Sequence, residues 1–208
     1  MLGGMFSTYA QSLSLKNATI LVSPSVPVPM RETAPKVLTE EINKRTQLLL
    51  KPASAWPKMG VTVAMALSSD RELFGKALPA RKASDAAETR AEGFRVVVDG
   101  QTLWIIGADA RGVLFGTGWV LRHLEMSAGN ALLPSTIDIA TAPVYPIRGH
   151  QLGYRHTANS YDAWTVGQFD QYFRELAIFG TNAIEGIPFH EDEKPNPHFK
   201  ISASEMRV

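Results

Sequence analysis

The sequence predicts a layered α+β domain followed by a single β-α-β unit. Two β-rich runs around Asp99 and Gly100 predict a hairpin over residues 94–106, and a new helix signal begins at Asp109. After Pro146 the pattern changes to a strand, a capped helix and another strand. The order of elements before Pro146 is typical of one sheet with helices packed against it.

Local signals predict the elements of the first domain in chain order. An apolar run ended by Ser-Pro predicts a strand at residues 18–22, and a buried strand is predicted at residues 61–67. Between them, Thr33 as N-cap and Pro35 in the first turn predict a helix. A short run at residues 137–139 closes the domain. The apolar positions of the predicted helix are Ala34, Val37, Leu38 and Ile42.

A glycine-containing helix is predicted after the hairpin, over residues 110–126, with Asp109 as its cap. Gly112 and Gly116 lower helix propensity but let a helix approach a sheet closely. The spacing is not G-x-G-x-x-G, and the run follows a hairpin, so close packing is favoured over nucleotide binding. The predicted buried side consists of Val113, Leu114, Trp119, Leu121 and Leu124.

The segment after Pro146 predicts a parallel strand pair. Residues 147–154 and 183–187 are predicted strands, and Thr165 with Gln168 forms a capping box for the helix between them. A β-α-β unit of this length implies a right-handed crossover. One such unit cannot bury both faces of its strands, so we expect the chain to stop within a domain and its open edge to self-associate.

Three regions follow from these signals: residues 1–16, 17–143 and 144–208. The first is expected to be disordered or the remnant of an export signal, because residues 1–10 are weakly apolar and end in a small-x-small pattern. A basic n-region is missing, so a frayed terminus is the alternative. If residues 1–10 are such a remnant, the protein is exported to the periplasm or beyond the cell.

Composition excludes several function classes. Formal net charge is +1, from 21 basic and 20 acidic residues, which argues against a nucleic-acid partner or an anionic membrane partner. Cysteine is absent, which removes disulfides and thiolate metal sites. The acidic run from His190 to Glu193, with His198, does not fit H-E-x-x-H and favours a solvated loop over a metal site. We expect no cofactor and no metal.

Two stretches resemble a known group of enzymes. Gly107, Asp109, Gly112 and Gly116 match a "G-x-D-x-x-G-x-x-x-G" turn and helix that follow a hairpin. Arg148-Gly149 and the "F-G-T-N" of residues 179–182 follow in the same order. Together these stretches resemble the accessory domain and the first barrel strands of family-20 β-hexosaminidases and family-67 α-glucuronidases, and the resemblance covers most of residues 18–190.

This resemblance implies a glycoside hydrolase: an α+β accessory domain followed by the first β-α-β unit of an incomplete (β/α)8 barrel. It implies hydrolysis of O-glycosyl bonds with a carboxylic pair, or with the acetamido group of the substrate. The hexosaminidase acid follows the fourth barrel strand, so this chain is expected to be non-catalytic by itself. The pattern "R-G-x-x-L-D-x-x-R" is only partly matched, because Gly153 replaces the acid and His156 the final arginine. An α-glucuronidase-like relative is therefore equally compatible.

In such a barrel, ligand-facing residues lie at the carboxyl ends of the strands. Planar polar groups and aromatic faces suit sugars, whether oligosaccharide or polysaccharide. For Glu185, a structural pair with Arg148 or Arg155 is favoured slightly over a ligand contact. The candidate substrate-binding residues are Gln151, Tyr154, Arg155, His150, Glu185, His190 and Glu191.

Two other functions compete with this interpretation. One is a stand-alone carbohydrate-binding or protein-interaction module, whose residues 147–208 pack on a partner. The other is a non-functional fragment. Sequence beyond Val208 and glycan binding by the chain would separate the three.

Overall fold

The structure is a computed structural model that describes residues 12–81, 86–152 and 164–186. The chain divides into two compact units, Met1–Pro143 and Val144–Val208. The first unit is a mixed α/β domain.

The main sheet of the first unit combines parallel and antiparallel strands. Its strands lie in the order β11-β7-β8-β4-β2-β3, in which β2, β3, β4 and β8 run parallel and β7 is antiparallel to both of its neighbours. The bounds are β2 Thr19–Val22, β3 Lys51–Pro52, β4 Thr62–Leu67, β7 Phe94–Asp99, β8 Thr102–Gly107 and β11 Asp138–Thr141.

The predicted hairpin is present as β7 and β8. Asp99 pairs with Thr102, so the turn residues are Gly100 and Gln101 rather than Asp99 and Gly100. Gly100 has a φ of 58°, a left-handed conformation that glycine adopts without steric cost.

Helices α1 (Val28–Thr46) and α2 (Ala110–His123) pack against each other beside this sheet. The predicted start of α1 at Thr33 is wrong, because the helix begins after Pro27 and Pro35 lies inside it. Proline suits the first turn, and Pro29 fills that role six residues earlier than the sequence indicated. Helix α2 ends three residues earlier than predicted, because Leu124 is already extended.

Smaller sheets complete the first unit. A three-stranded antiparallel sheet has the order β1-β10-β9, and a two-stranded hairpin joins β5 to β6. A short 3₁₀ helix spans Ala86–Thr89. The strand bounds are β1 Ser12–Ser14, β5 Glu72–Leu73, β6 Lys76–Ala77, β9 Glu125–Ser127 and β10 Asn130–Pro134.

The expectation that residues 1–16 lie outside the first domain is wrong for Ser12 onward. Strand β1 pairs with β10, and Leu13 and Leu15 on either side of Ser14 are buried. Strand β10, which lies far from β1 in the sequence, packs against these two apolar side chains, and they therefore become part of the core.

The second unit contains strands β12 (Gly149–Leu152) and β13 (Ala183–Gly186), which pair in parallel, and helix α3 (Val166–Ile178). The predicted capping box is present: Gln168 donates its backbone N–H to Thr165 Oγ1, and Thr165 donates its own to Gln168 Oε1. Gly180, just beyond the helix, has a φ of 92°. Its conformation is one that a C-terminal glycine adopts readily.

Within the described ranges, no helix combines the length and apolarity needed to cross a membrane.

Candidate functional site

The two strands of the second unit present two different faces. Residues that lie level across the strands are Gly149 with Ala183, His150 with Ile184, Gln151 with Glu185, and Leu152 with Gly186. Because successive strand side chains point to opposite faces, His150 and Gln151 lie on different sides of the sheet. The contacts of His150 identify its side as the one that faces α3.

His150 is held by the helix. Its Nε2 lies 2.8 Å from the hydroxyl of Tyr172 on α3, and the two rings meet edge to face at a centroid distance of 5.5 Å. His150 was predicted as a substrate contact at the strand end. The structure places it instead on the helix side, where its hydrogen bond joins β12 to α3.

The opposite face carries a polar pair near the carboxyl ends of the strands. Gln151 donates an Nε2 hydrogen to Glu185 Oε2 at 3.0 Å, and both side chains are exposed. Toward the amino ends of the two strands, the described strand residues on the same face are Gly149 and Ala183. The Gln151–Glu185 pair therefore lies near the carboxyl ends of the strands, and the residues near the amino ends of the same face are small.

Glu185 has a different partner from the one that the sequence favoured. A structural pair with Arg148 or Arg155 was expected, yet the partner within the described part of the chain is Gln151. The guanidinium of Arg148 lies toward the amino ends of the strands, where it donates to the carbonyl oxygens of Gly180 and Tyr145. Among the described residues Glu185 therefore pairs with a neutral amide, and the alternative pair with Arg155 lies outside the described residues.

Arg148 and Asn182 connect the starts of the two strands. Arg148 donates its backbone N–H to Asn182 Oδ1 at 2.9 Å, and Asn182 returns a backbone N–H to the Arg148 carbonyl at 3.0 Å. The Asn182 amide also donates to Pro146 O. These bonds give the Arg-Gly and F-G-T-N motifs a structural role: they set the register of the parallel pair.

Aromatic side chains of α3 form a cluster with Trp164. The Trp164 ring meets Phe169 at 5.3 Å and Tyr172 at 5.0 Å between centroids, both edge to face. Phe169 contacts Phe173 in turn. The described ring contacts of Trp164 are therefore with this helix.

The remaining candidates, Tyr154, Arg155, His190 and Glu191, lie outside the described residues, as do Asn159 and Asp162 of the loop after the first strand. Three candidates are therefore located by the structure: His150 on one face, and Gln151 with Glu185 on the other. Among the described residues, no group of three or more His, Cys, Asp or Glu side chains is arranged to hold a metal ion.

The glycine-containing turn of the first unit has a structural explanation. Asp109 caps α2 through Oδ1, which accepts from Gly112 N, and its Oδ2 accepts from Glu92 N, both at 2.8 Å. A Cβ on Gly112 would lie 2.2 Å from the Gly93 carbonyl oxygen, and one on Gly107 would lie 2.4 Å from Val113 N. Backbone contacts this close leave no room for a side chain, which supports packing over nucleotide binding.

Sequence reasoning missed two polar contacts. Arg95 is buried and donates from Nε to Asp138 Oδ1 at 2.9 Å and from Nη1 to the Ala80 carbonyl at 2.9 Å. The second contact is the hydrogen bond between the Tyr172 hydroxyl and His150 Nε2. An arginine inside a β-rich run was a usable signal for the first contact, whereas nothing local pointed to the bond between Tyr172 and His150.

No protein-family model matches the chain, and no curated protein matches it. Solved structures do. An inactive variant of the family-20 exo-β-N-acetylglucosaminidase from Vibrio harveyi matches with a TM-score of 0.61 and 12% identity, over 85% of this chain and 23% of that one. The family-20 β-N-acetylhexosaminidase from Streptomyces coelicolor A3(2) matches with a TM-score of 0.57 and 16% identity, over 85% and 32%.

A family-115 4-O-methyl-α-glucuronidase, described as specific for decorated arabinogalactans, matches with a TM-score of 0.59 and 12% identity, over 84% of this chain and 25% of that one. The predicted resemblance to hexosaminidases and α-glucuronidases is confirmed for the fold, with family 115 where the sequence suggested family 67. The chain spans about a quarter to a third of the length of these structures. Because 85% of the chain exceeds the first unit, the similarity continues into the second.

Proposed function

We propose that this chain is the N-terminal portion of a carbohydrate-active glycoside hydrolase. In this proposal residues 17–143, together with Ser12–Lys16, form an accessory domain. Residues 144–208 form the first β-α-β unit of a (β/α)8 barrel. The fold similarity to family-20 and family-115 glycosidases supports it, since that similarity extends past Pro143. A shared fold does not establish a shared reaction, so the chemistry is inferred from the residues of the site.

The observation that carries the proposal is the Gln151–Glu185 pair. It lies on the face of the parallel strands away from α3, near their carboxyl ends. In a (β/α)8 barrel the face away from the helices is the interior, and ligand sites lie at the carboxyl ends of the strands. An amide beside a carboxylate provides donors and acceptors of the kind that bind sugar hydroxyls.

The second unit by itself is proposed to be non-catalytic. Glycoside hydrolysis generally uses two carboxyl groups on either side of the scissile bond, or one aided by the substrate. The carboxylates among the described residues of this unit are Asp170, Glu175 and Glu185. Asp170 pairs with Arg174 and Glu175 accepts from Gln171, both along α3, which leaves Glu185 on the candidate face.

The experiment compares the 208-residue chain with the product of its complete natural reading frame. Both are incubated with nitrophenyl β-N-acetylglucosaminide and nitrophenyl α-glucuronide, and release of nitrophenol is followed. The longer product is expected to hydrolyse a glycoside, and the 208-residue chain is expected to be silent. A reading frame that ends at Val208, or turnover by the short chain that survives repurification, would overturn the proposal.

A second candidate is a stand-alone carbohydrate-binding or protein-interaction module. Exposed apolar side chains in the second unit favour it, because a surface of this kind is typical of interaction sites. Val144, Tyr145, Ile147 and Phe179 are each at least 72% exposed. A concentration-dependent dimer in analytical ultracentrifugation, together with glycan-array binding and no hydrolysis by the longer product, would support this alternative.

A further inference from the structure

The hairpin of β5 and β6 covers part of the main sheet on the side away from α2. Ile105 lies against Gly116 of α2, so the neighbouring Trp104 points to the opposite side. There Leu73 of β5, with 1% of its surface exposed, packs in one cluster with Trp104 and Leu21. Among the described strands, β5 and β6 pair with each other and not with the main sheet. Side chains, rather than a strand ladder, therefore hold the hairpin to the sheet.

Trp56 and Lys76 provide polar contacts between this hairpin and the rest of the first unit. Trp56 donates its Nε1–H to the carbonyl oxygen of Leu73 at 2.7 Å. Lys76 Nζ donates to Thr102 Oγ1 at 3.0 Å and lies 4.7 Å from the ring centroid of Trp56 and 5.8 Å from that of Trp104. An ammonium over an indole face at these distances is attracted by the ring. Lys76 therefore joins the hairpin to both tryptophans and to β8.

Two features raise the free energy of this closed arrangement. The Trp104 side chain is fully buried, yet its Nε1–H has no hydrogen-bond acceptor among the described residues, which costs free energy. At the hairpin tip, Phe74 has a φ of 47°, a left-handed conformation that a bulky side chain adopts at a steric cost. The first cost disappears when water or a ligand reaches the indole, and the second when the turn unfolds.

We propose that the β5–β6 hairpin is a lid that opens over Trp56 and Trp104 while the main sheet stays folded. Opening breaks side-chain contacts and no ladder of the main sheet, so it requires less free energy than unfolding the whole unit. The opened surface presents two indole rings, whose centroids are 5.6 Å apart, and their N–H donors. Such a surface suits a ligand that combines an apolar face with an acceptor oxygen.

Hydrogen exchange of the isotope-labelled 208-residue chain, followed by NMR at increasing low concentrations of urea, tests this lid. The indole N–H groups of Trp56 and Trp104 should exchange at similar rates that depend weakly on urea, because opening the hairpin exposes little surface. The backbone N–H groups of β4 and β8 should exchange far more slowly and depend steeply on urea. Trp104 exchange that matches β8 in rate and urea dependence would overturn the proposal, because the hairpin would then open only when the whole unit unfolds.

Variants of the hairpin change the opening in opposite directions. Lys76→Ala should speed the exchange of both indoles about tenfold, because it removes the bond to Thr102 and the contacts with both rings. Lys51→Ala is the matched control, since it removes an exposed lysine from β3, and it should leave both rates unchanged.

Phe74→Asn should slow the exchange of both indoles about threefold, because asparagine tolerates the left-handed conformation of the turn. Indole rates that stay the same in Lys76→Ala, that rise equally in Lys51→Ala, or that are not slowed in Phe74→Asn contradict a lid held by these contacts.

Discussion

The central strand of the first unit and the last described strand of the second differ in what covers them. In β8, Leu103, Trp104 and Ile105 are fully buried. In β13, Ala183 and Glu185 are exposed and Ile184 remains 40% exposed. Each strand has a parallel neighbour, β4 for β8 and β12 for β13, so parallel pairing alone does not explain the difference.

The difference in burial arises because both faces of β8 are covered by other parts of the first unit. Ile105 lies against Gly116 of α2, while Trp104, one residue earlier, belongs to a cluster with Leu21, Ala64 and Leu73 on the other side. The pair β12–β13 has the described α3 on one side. Parallel strands are stable when both faces are covered. The first unit has its own core, whereas the described residues of the second unit cover one face of its strand pair.

The largest effect is expected where the first unit is tightest. Gly112→Ala should lower the free energy of unfolding by about 3 kcal/mol, because the new Cβ would meet the backbone oxygen of Gly93 and the backbone would have to move. Gly116→Ala is the control: its Cβ would meet Ile105 Cγ2, a side-chain atom rather than a backbone atom, so the loss should be smaller. Urea denaturation measures both, and equal losses would contradict the explanation.

A loss of similar size is expected for Arg95→Met, at about 2–3 kcal/mol, since it removes the hydrogen bonds that Arg95 donates to the Asp138 carboxylate and the Ala80 carbonyl. The Arg95 side chain is 3% exposed. Arg111→Met is the comparison, because the Arg111 side chain pairs with Glu92 while 62% exposed. It should cost less than about 1 kcal/mol. Thermal unfolding monitored by Trp fluorescence would separate the two, and the reverse order would refute this explanation.

A smaller, pH-dependent effect is expected at Glu41. Burial alone would raise the pKa of this carboxyl, but hydrogen bonds and charges from Arg45 and Lys44 outweigh burial and lower it. A pKa lower in the folded than in the unfolded state stabilises the fold above the unfolded value. That contribution is lost as pH falls through the folded value.

Glu41→Gln should therefore destabilise the first unit by about 1 kcal/mol near neutral pH. The difference from the unmodified chain should shrink on acidification below the ordinary glutamate pKa. Denaturant titrations from neutral pH downward measure this, and a difference that stays constant would contradict a lowered pKa for Glu41.

The smallest effect is expected in the second unit. Gly167→Ala, in the first turn of α3, should stabilise that helix by up to about 1 kcal/mol, because alanine has the higher helix propensity. The nearest atom to a Cβ at that position is Thr165 Oγ1 at 4.0 Å. Amide hydrogen exchange along α3 would slow if this holds. Faster exchange would show that the helix is packed more closely than these contacts indicate.

Sequence patterns predicted the elements with strong local signals. The hairpin of β7 and β8, the Asp109 cap and the Thr165–Gln168 capping box depend on residues a few positions apart. The start of α1 was wrong because two prolines, Pro29 and Pro35, both suit a first turn. The residues around the two prolines do not indicate which of them lies in the first turn of the helix.

Positions that depend on distant partners were predicted less well. In β7, Arg95 and Val97 are both buried beneath residues that come from the segment before the hairpin, which no local pattern specifies. At the candidate site, the types of Gln151 and Glu185 suggested ligand contacts, but their pairing requires the register of two strands.

By itself the sequence determined that a hairpin turns near Gly100 and that Asp109 and Thr165 cap α2 and α3. These depend on backbone geometry within a few residues. Only the tertiary structure decided that His150 bonds to Tyr172 on one face while Gln151 bonds to Glu185 on the other. The local sequence does not indicate which face of a strand a helix will cover. Hydrophobic burial and hydrogen bonding on each face depend on the element that packs there, and that element comes from elsewhere in the chain.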